Sequence, residues 1–378
     1  MSQNPFGDIP LFREIQRILS SDQGPVNYEI ARQIAGTIAT QREDPSPTPE
    51  LKNEMAEAVR SSEQLLVGYT RLQLDEPLRS TAMGRATWVL ETLNGWKWLF
   101  DALAERLTEG MAPAEGEGAD AMGAVMKQIT PLLMGIQTGT LVGHLANEAL
   151  GRYDLPIPRE DDGTLFFVAP NLAAVADKYQ FEASSFHKWF ALNESARHVV
   201  ATSRPWTIKY FRSLIVELTT AIEIDVSDLE RRLVELQSGS MEALQEGIGG
   251  ERFMPLVPNE RHRLAALRLR SFNAIFDGYG NHAASAVARH LVADEAKIAE
   301  GMARYEAEPS EGRGMLAGIL GIERDRALET AGSTFCAAVV KMRGMDSLNK
   351  VWDAPDNLPT MDEIKDPFAW MERILVEE

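Results

Sequence analysis

Phe186-His187-Lys188-Trp189-Phe190-Ala191-Leu192-Asn193-Glu194-Ser195-Ala196-Arg197-His198-Val199-Val200 is the stretch on which the reading turns. Its spacing predicts part of a long helix over 183–203, closed by Ser203-Arg204-Pro205-Trp206. In the motif H-E-x-x-H two imidazoles at i and i+4 share one helix face and reach one zinc ion, while the intervening Glu polarises the metal-bound water. The five corresponding positions here read Asn193-Glu194-Ser195-Ala196-Arg197. One Glu in such a pattern is by itself no signal.

Outward from this helix, helix signals dominate and predict a mainly α fold with at most a few short strands. Thr48-Pro49-Glu50 supplies a cap, a first-turn proline and a first-turn acid for a helix running to about Arg71. Ser227 with Glu230, and Thr360 with Glu363, match the capping box. Further helices are expected near 26–41, 84–108, 120–150, 205–223, 259–291 and 321–344. Only Thr164-Leu165-Phe166-Phe167-Val168 reads as a strand. The Gly/Ala/Glu-rich run from Glu109 to Asp120 predicts a surface loop. The proline-rich, acidic run from Gly151 to Pro170 sets the expected division: a helical lobe at 1–151, a connector at 152–171 and a second lobe at 172–378. Within 120–150, Gly135, Gly139 and Gly143 recur every four residues on one face. Each costs about 1 kcal/mol of helix propensity relative to alanine. The stripe therefore predicts a second backbone packed tightly against it, in a soluble core rather than a membrane dimer.

The formal net charge of −18 repels phosphate backbones and anionic headgroups, so neither nucleic acid nor a membrane surface is an expected partner. The single cysteine, Cys336, allows no intrachain disulfide and no thiolate metal cluster; a buried, inert thiol is expected. Residues 1–20 carry Asp8, Arg13, Glu14 and Arg17 where an export signal needs an apolar run. The least polar stretch, Ile129 to Val142, is shorter than the roughly 20 residues that span a bilayer. A cytoplasmic location is expected.

Gly24-Pro25-Val26-Asn27, Gly135 to Gly143, Leu150-Gly151-Arg152-Tyr153-Asp154-Leu155-Pro156, Pro170-Asn171, Arg204-Pro205-Trp206, Gly278-Tyr279, Val351-Trp352, Leu358-Pro359-Thr360 and Asp366-Pro367 occur in that order along the chain. In these pieces the sequence resembles, over nearly its full length, a family of bacterial zincin-like metallopeptidases, some of which are labelled hydrolases associated with deazaflavin cofactor biosynthesis. The resemblance implies a zincin-like helical fold. It also implies His-Glu-x-x-His on the helix before Arg204-Pro205-Trp206, and an acidic third ligand before the Gly-Tyr pair. Carried over, Asn193 and Arg197 stand at the two histidine positions, Glu194 at the general base and Asp277 at the acid. Near the C-terminus, Asp325, Leu328 and Glu329 replace the Lys and Gln-Tyr of the family pattern.

Asn offers zinc only a weak neutral oxygen, and Arg offers no lone pair and a permanent positive charge. A dication about 4 Å from a guanidinium is repelled by roughly 8 kcal/mol at an effective dielectric near 20. The expectation is thus no cofactor, with zinc only if the site works despite these changes. Glu194 would be a vestigial base and Asn193, Arg197 and Asp277 vestigial ligand positions. Arg197 is expected either to occupy the old metal position, bonded to Asp277, Glu194 or both, or to extend into solvent. A displaced site using His198 and His282, with His187 nearby, stands as an alternative to a plain hydrogen bond between His198 and Glu194. The expected function is a non-catalytic homologue whose cleft receives a peptide or protein. Its rivals are a metal-dependent or metal-free hydrolase using Glu194, and a scaffold protein whose cleft is irrelevant. Substrate and oligomeric state are not encoded in any motif.

Overall fold

The computed structural model describes residues 24–110, 119–224, 256–257, 259–320 and 326–375. These form a mainly α-helical protein. Asn27 caps α1 (Tyr28–Ala39) through Ile30 N–H, and Thr48 caps α2 (Pro49–Thr70) through Leu51 N–H, with Pro49 in the first turn as its fixed φ favours.

The helix expected over 84–108 is two, α3 (Arg85–Gly95) and α4 (Lys97–Gly110). The break has a local cause. The Gly95 carbonyl accepts from Glu160 N–H at 2.9 Å, and Trp96 turns into the core edge-on to Trp88 and Phe100. A long-range bond thus takes the place of a step of the helical ladder.

Helix α5 (Ala119–Ala146) carries the glycine stripe, and α1 lies in it. A Cβ on Gly135 would stand 2.5 Å from the Asn27 carbonyl oxygen, on Gly139 2.7 Å from that of Ala31, and on Gly143 2.7 Å from Ile38 Cβ. The facing residues Ala31, Ala35 and Ala39 are fully buried. Small residues on both faces let the two backbones meet. No helix among the described residues is long and apolar enough to cross a membrane.

The expected strand is β2 (Leu165–Val168), buried throughout, and it pairs in parallel with β1 (Ser80–Met83), register Ser80 to Leu165. It leads into α6 (Ala169–Tyr179), α7 (Ala183–Ser203) and α8 (Trp206–Thr220). A two-residue antiparallel pair, β3 (Glu223–Ile224) with β4 (Leu256–Val257), precedes α9 (Glu260–Ala288). There follow α10 (Glu295–Ala307), α11 (Glu311–Leu320), α12 (Arg326–Arg343), α13 (Met345–Asn349), α14 (Met361–Lys365) and α15 (Pro367–Leu375). The capping box of Thr360 and Glu363 is present at the start of α14; the one expected at Ser227 lies outside the described residues, as do positions 111–118 of the expected loop.

Helices α7 and α9 pack on each other, with α2 against α7 and α12 against α9. One buried apolar cluster runs from Val26 to Met371. Beside α7, Phe272 and Phe276 of α9 stack on each other and meet Trp352 edge-on.

Replacing Gly139 by Leu forces a branched side chain into the Ala31 backbone and is expected to destabilise the fold by about 2–4 kcal/mol. Thermal unfolding checks this; a midpoint equal to that of the parent protein would contradict the close α1–α5 contact.

Candidate functional site

Helix α7 is buried along most of its length because α2, α8 and α9 surround it. Asn193, Glu194 and Arg197 fall within one turn and reach a cleft on its α9 side. The Asn193 amide nitrogen donates back to the Trp189 carbonyl at 2.9 Å.

Arg197 crosses from α7 to α9. Its Nε donates to Asp277 Oδ1 at 2.7 Å, its Nη2 to Asn281 Oδ1 at 2.9 Å and its Nη1 to the Asn193 carbonyl at 3.0 Å. Of the two expected arrangements the ion pair is found, with Asp277 and not Glu194 as the hydrogen-bonded partner. Gly280 leaves the space the side chain crosses, since a Cβ there would stand 2.8 Å from Arg197 Cγ. Burial alone would lower the guanidinium pKa, but Asp277, with Glu194 and Glu306 adding, more than offsets it and holds the group above its usual value.

Glu194 is 2% exposed and is bound by backbone. Its Oε2 accepts Arg152 N–H at 2.6 Å and Tyr153 N–H at 2.9 Å. The loop that presents these amides comes close because residue 151 is glycine: a Cβ there would stand 2.7 Å from the Glu194 carboxyl carbon. The loop is tied down by the Arg152 guanidinium, bidentate to Asp161 at 2.6 and 2.9 Å, and by buried Arg159, which reaches Asp161 at 3.2 Å and Thr92 at 2.9 Å. Burial pushes the Glu194 carboxyl up to about 8, Asp154 adding to the effect while Arg197 and the two backbone donors oppose it.

The histidines are elsewhere engaged. His198 is buried with Nδ1 2.7 Å from the Tyr153 hydroxyl, which corrects the expected bond to Glu194. Burial, with Arg152 nearby, lowers its pKa to about 3. His282 Nε2 meets the Tyr69 hydroxyl at 2.8 Å, and His187 Nδ1 meets Glu54 at 3.1 Å. Neither His198 nor His282 lines the cleft. Among the described residues, no three His, Cys, Asp or Glu side chains gather as a metal-binding group. The zinc of the H-E-x-x-H pattern does not fit the residues present: its second nitrogen donor is a guanidinium, and that guanidinium already holds Asp277 Oδ1. Cys336 is fully buried on α12, and burial raises its thiol pKa far above the usual value, as an inert thiol requires.

The cleft has a volume of about 220 Å³. Apolar walls come from Trp189, Phe276, Leu316 and Leu328, and charged ones from Asp154, Arg270, Asp277 and Arg313. Glu148 fixes the α11 wall by accepting from Ser310 and from Gly312 and Arg313 N–H at 3.1 and 3.3 Å. Of the C-terminal departures, Leu328 lines the cleft, and Asp325 lies outside the described residues. Sequence reading missed the Arg152 and Tyr153 amides, Asn281, Arg270 and Arg313. Asn281 and Arg270 had a findable signal, lying four residues after and seven before Asp277 on the same helix face.

The sequence matches the zincin-like metallopeptidase family over residues 26–371. The fold is similar to that of a protein from Chloroflexus aurantiacus described as a "putative hydrolase with a novel fold", at 25% identity and a TM-score of 0.65, over 93% of this chain and 99% of that one. No curated protein matches. A match over that span, with the helix of Glu194 and the acid of α9 brought to one cleft, assigns the chain to the zincin-like metallopeptidase family.

Proposed function

We propose that this member is a binding homologue without zinc hydrolysis, its cleft receiving a peptide. The observation that carries the reading is the guanidinium of Arg197, bonded at once to Asp277, Asn281 and the Asn193 carbonyl. In a working site of this pattern a dication balances the acid ligand and the general base. Here Arg197 supplies one positive charge at that place, and its guanidinium bonds the Asp277 carboxylate. It brings neither a Lewis acid nor an activated water. The cleft's mixture of apolar walls and charged groups favours a ligand-binding role over that of a scaffold whose cleft is irrelevant.

Glu194 favours a second reading, a metal-free hydrolase, because a carboxyl near pKa 8 on a cleft wall is a proton donor at neutral pH. The backbone bonds to its Oε2 speak for a structural role instead: the carboxyl anchors the 151–154 loop to α7.

Calorimetric titration with zinc tests the first reading. The untagged parent is expected to show no site, and the Asn193→His/Arg197→His double variant is expected to acquire one, since Glu194 and Asp277 remain. A folded double variant that binds no zinc would show the positions to be misassigned; tight one-to-one zinc in the parent would end the proposal.

The structural role of Glu194 has a pH signature. Its folded pKa is raised from 4.5 to about 8, so the stability from its neutral form is complete below pH 4.5 and lost as pH rises toward 8. Glu194→Gln cannot ionise and keeps an acceptor for both amides. Its unfolding free energy relative to the parent should therefore climb across that window, with a slope of up to about 1.4 kcal/mol per pH unit. His198 is common to both proteins and cancels. Parallel stability profiles from pH 4.5 to 8 would contradict the burial of an uncharged Glu194.

A further inference from the structure

The arginines of α9 are not alike. Arg263 pairs with Glu260 and Arg268 with Glu217, both on the outer surface. Arg270 turns into the cleft. Its Nε is shut off from solvent with no hydrogen-bond partner, and among the described residues the guanidinium makes no ion pair. A buried N–H left without an acceptor in this way is unfavourable unless something else completes it. Across the cleft Arg313 is similar in part: its Nη2 lies 3.6 Å from Asp154, while its buried Nε has no partner. Asp277 lines the same cleft, but its Oδ1 is bonded to Arg197 and it makes no hydrogen bond or ion pair with Arg270.

We propose that Arg270 is the anchor for a carboxylate on the ligand, and that the ligand is a peptide held by its C-terminal carboxylate. This rests on the preceding reading of the cleft as a binding site. A guanidinium fork matches a carboxylate in two parallel hydrogen bonds. Asn273, one turn along the same face, adds an amide beside it. Arg270 and Asp277 are seven residues apart, which is about 10 Å along a helix. In the proposed arrangement the preceding residues of the peptide run along α9 toward Arg197, where the cleft offers apolar side chains such as Trp189 and Phe276. A phosphate dianion fits less well, because Asp154, Asp277 and Glu306 line the same cleft and a second negative charge meets them. The protein's net charge of −18 makes the local cation all the more necessary for an anionic ligand.

The test is calorimetric titration of the full chain with N-acetyl-alanyl-phenylalanyl-leucine, with the same tripeptide as its C-terminal amide, and with phenyl phosphate. The free acid is expected to bind at least about tenfold more tightly than the amide. Arg270→Gln should reduce the acid to the affinity of the amide, while Arg270→Lys retains part of the preference. The thermal midpoint of Arg270→Gln should equal or exceed that of the parent, since the change removes an unsatisfied donor. Equal binding of acid and amide, no binding of either, an acid preference that survives in Arg270→Gln, or tighter binding of phenyl phosphate than of the acid would each overturn the proposal. Tight zinc in the parent would overturn the non-catalytic reading while leaving an Arg270-dependent acid preference intact, so the two failures are distinguishable.

Discussion

Arg197 and Asp277 join the two helices on which the cleft is built. Their 2.7 Å contact spans α7 and α9, with side chains 14% and 28% exposed. In such surroundings neither charge is well hydrated, and removing one partner of a buried pair costs about 3–5 kcal/mol, less where one member reaches water as Asp277 does. The additional bonds to Asn281 and to the Asn193 carbonyl fix the guanidinium in one geometry, so the pair sets the α7–α9 spacing as well as the local charge. Beside the pair, Phe272 and Phe276 of α9 stack on each other and meet Trp352 edge-on, and Phe276 continues into the apolar wall of the cleft.

The second constraint is the Glu194 carboxyl. It receives two backbone amides from a loop that glycine at 151 allows to approach, and that loop is held in turn by Arg152, Asp161 and Arg159. Tyr153 and Asp154 of this loop line the cleft beside Glu194, with the arginine–aspartate contacts holding them from outside it. In the proposed reading, the general-base position of the family motif has become the anchor of a loop, and the second histidine position has become the cation that neutralises the acid.

Much of the fold was legible locally. Helix α7 over 183–203, the Thr48 and Thr360 caps and strand β2 follow from period and capping chemistry carried within a few residues. The glycine stripe foretold a close helix contact, because three glycines on one face have no other economical reason; that α1 is the partner was not encoded in the stripe. The features that were missed depend on distant chain. Strand β1, Ser-Thr-Ala-Met, has no alternation of its own and exists through pairing with β2. The break at Trp96 reflects a carbonyl claimed by Glu160. At the site, Glu194 accepts from backbone amides 41 and 42 residues upstream while Arg197 bonds Asp277, an arrangement that no spacing rule reveals. His198 was misread for the same reason, since Tyr153 comes from that loop.

The central claim is that a guanidinium takes the part of the metal ion between α7 and α9. Diffraction from crystals soaked in zinc, measured on both sides of the zinc absorption edge, addresses it directly. The account predicts no anomalous peak where residues 193, 197 and 277 converge, with the Arg197 guanidinium in hydrogen-bond contact with Asp277. A zinc peak at that point, with Arg197 swung away and Glu194 or Asp277 as ligands, would contradict it.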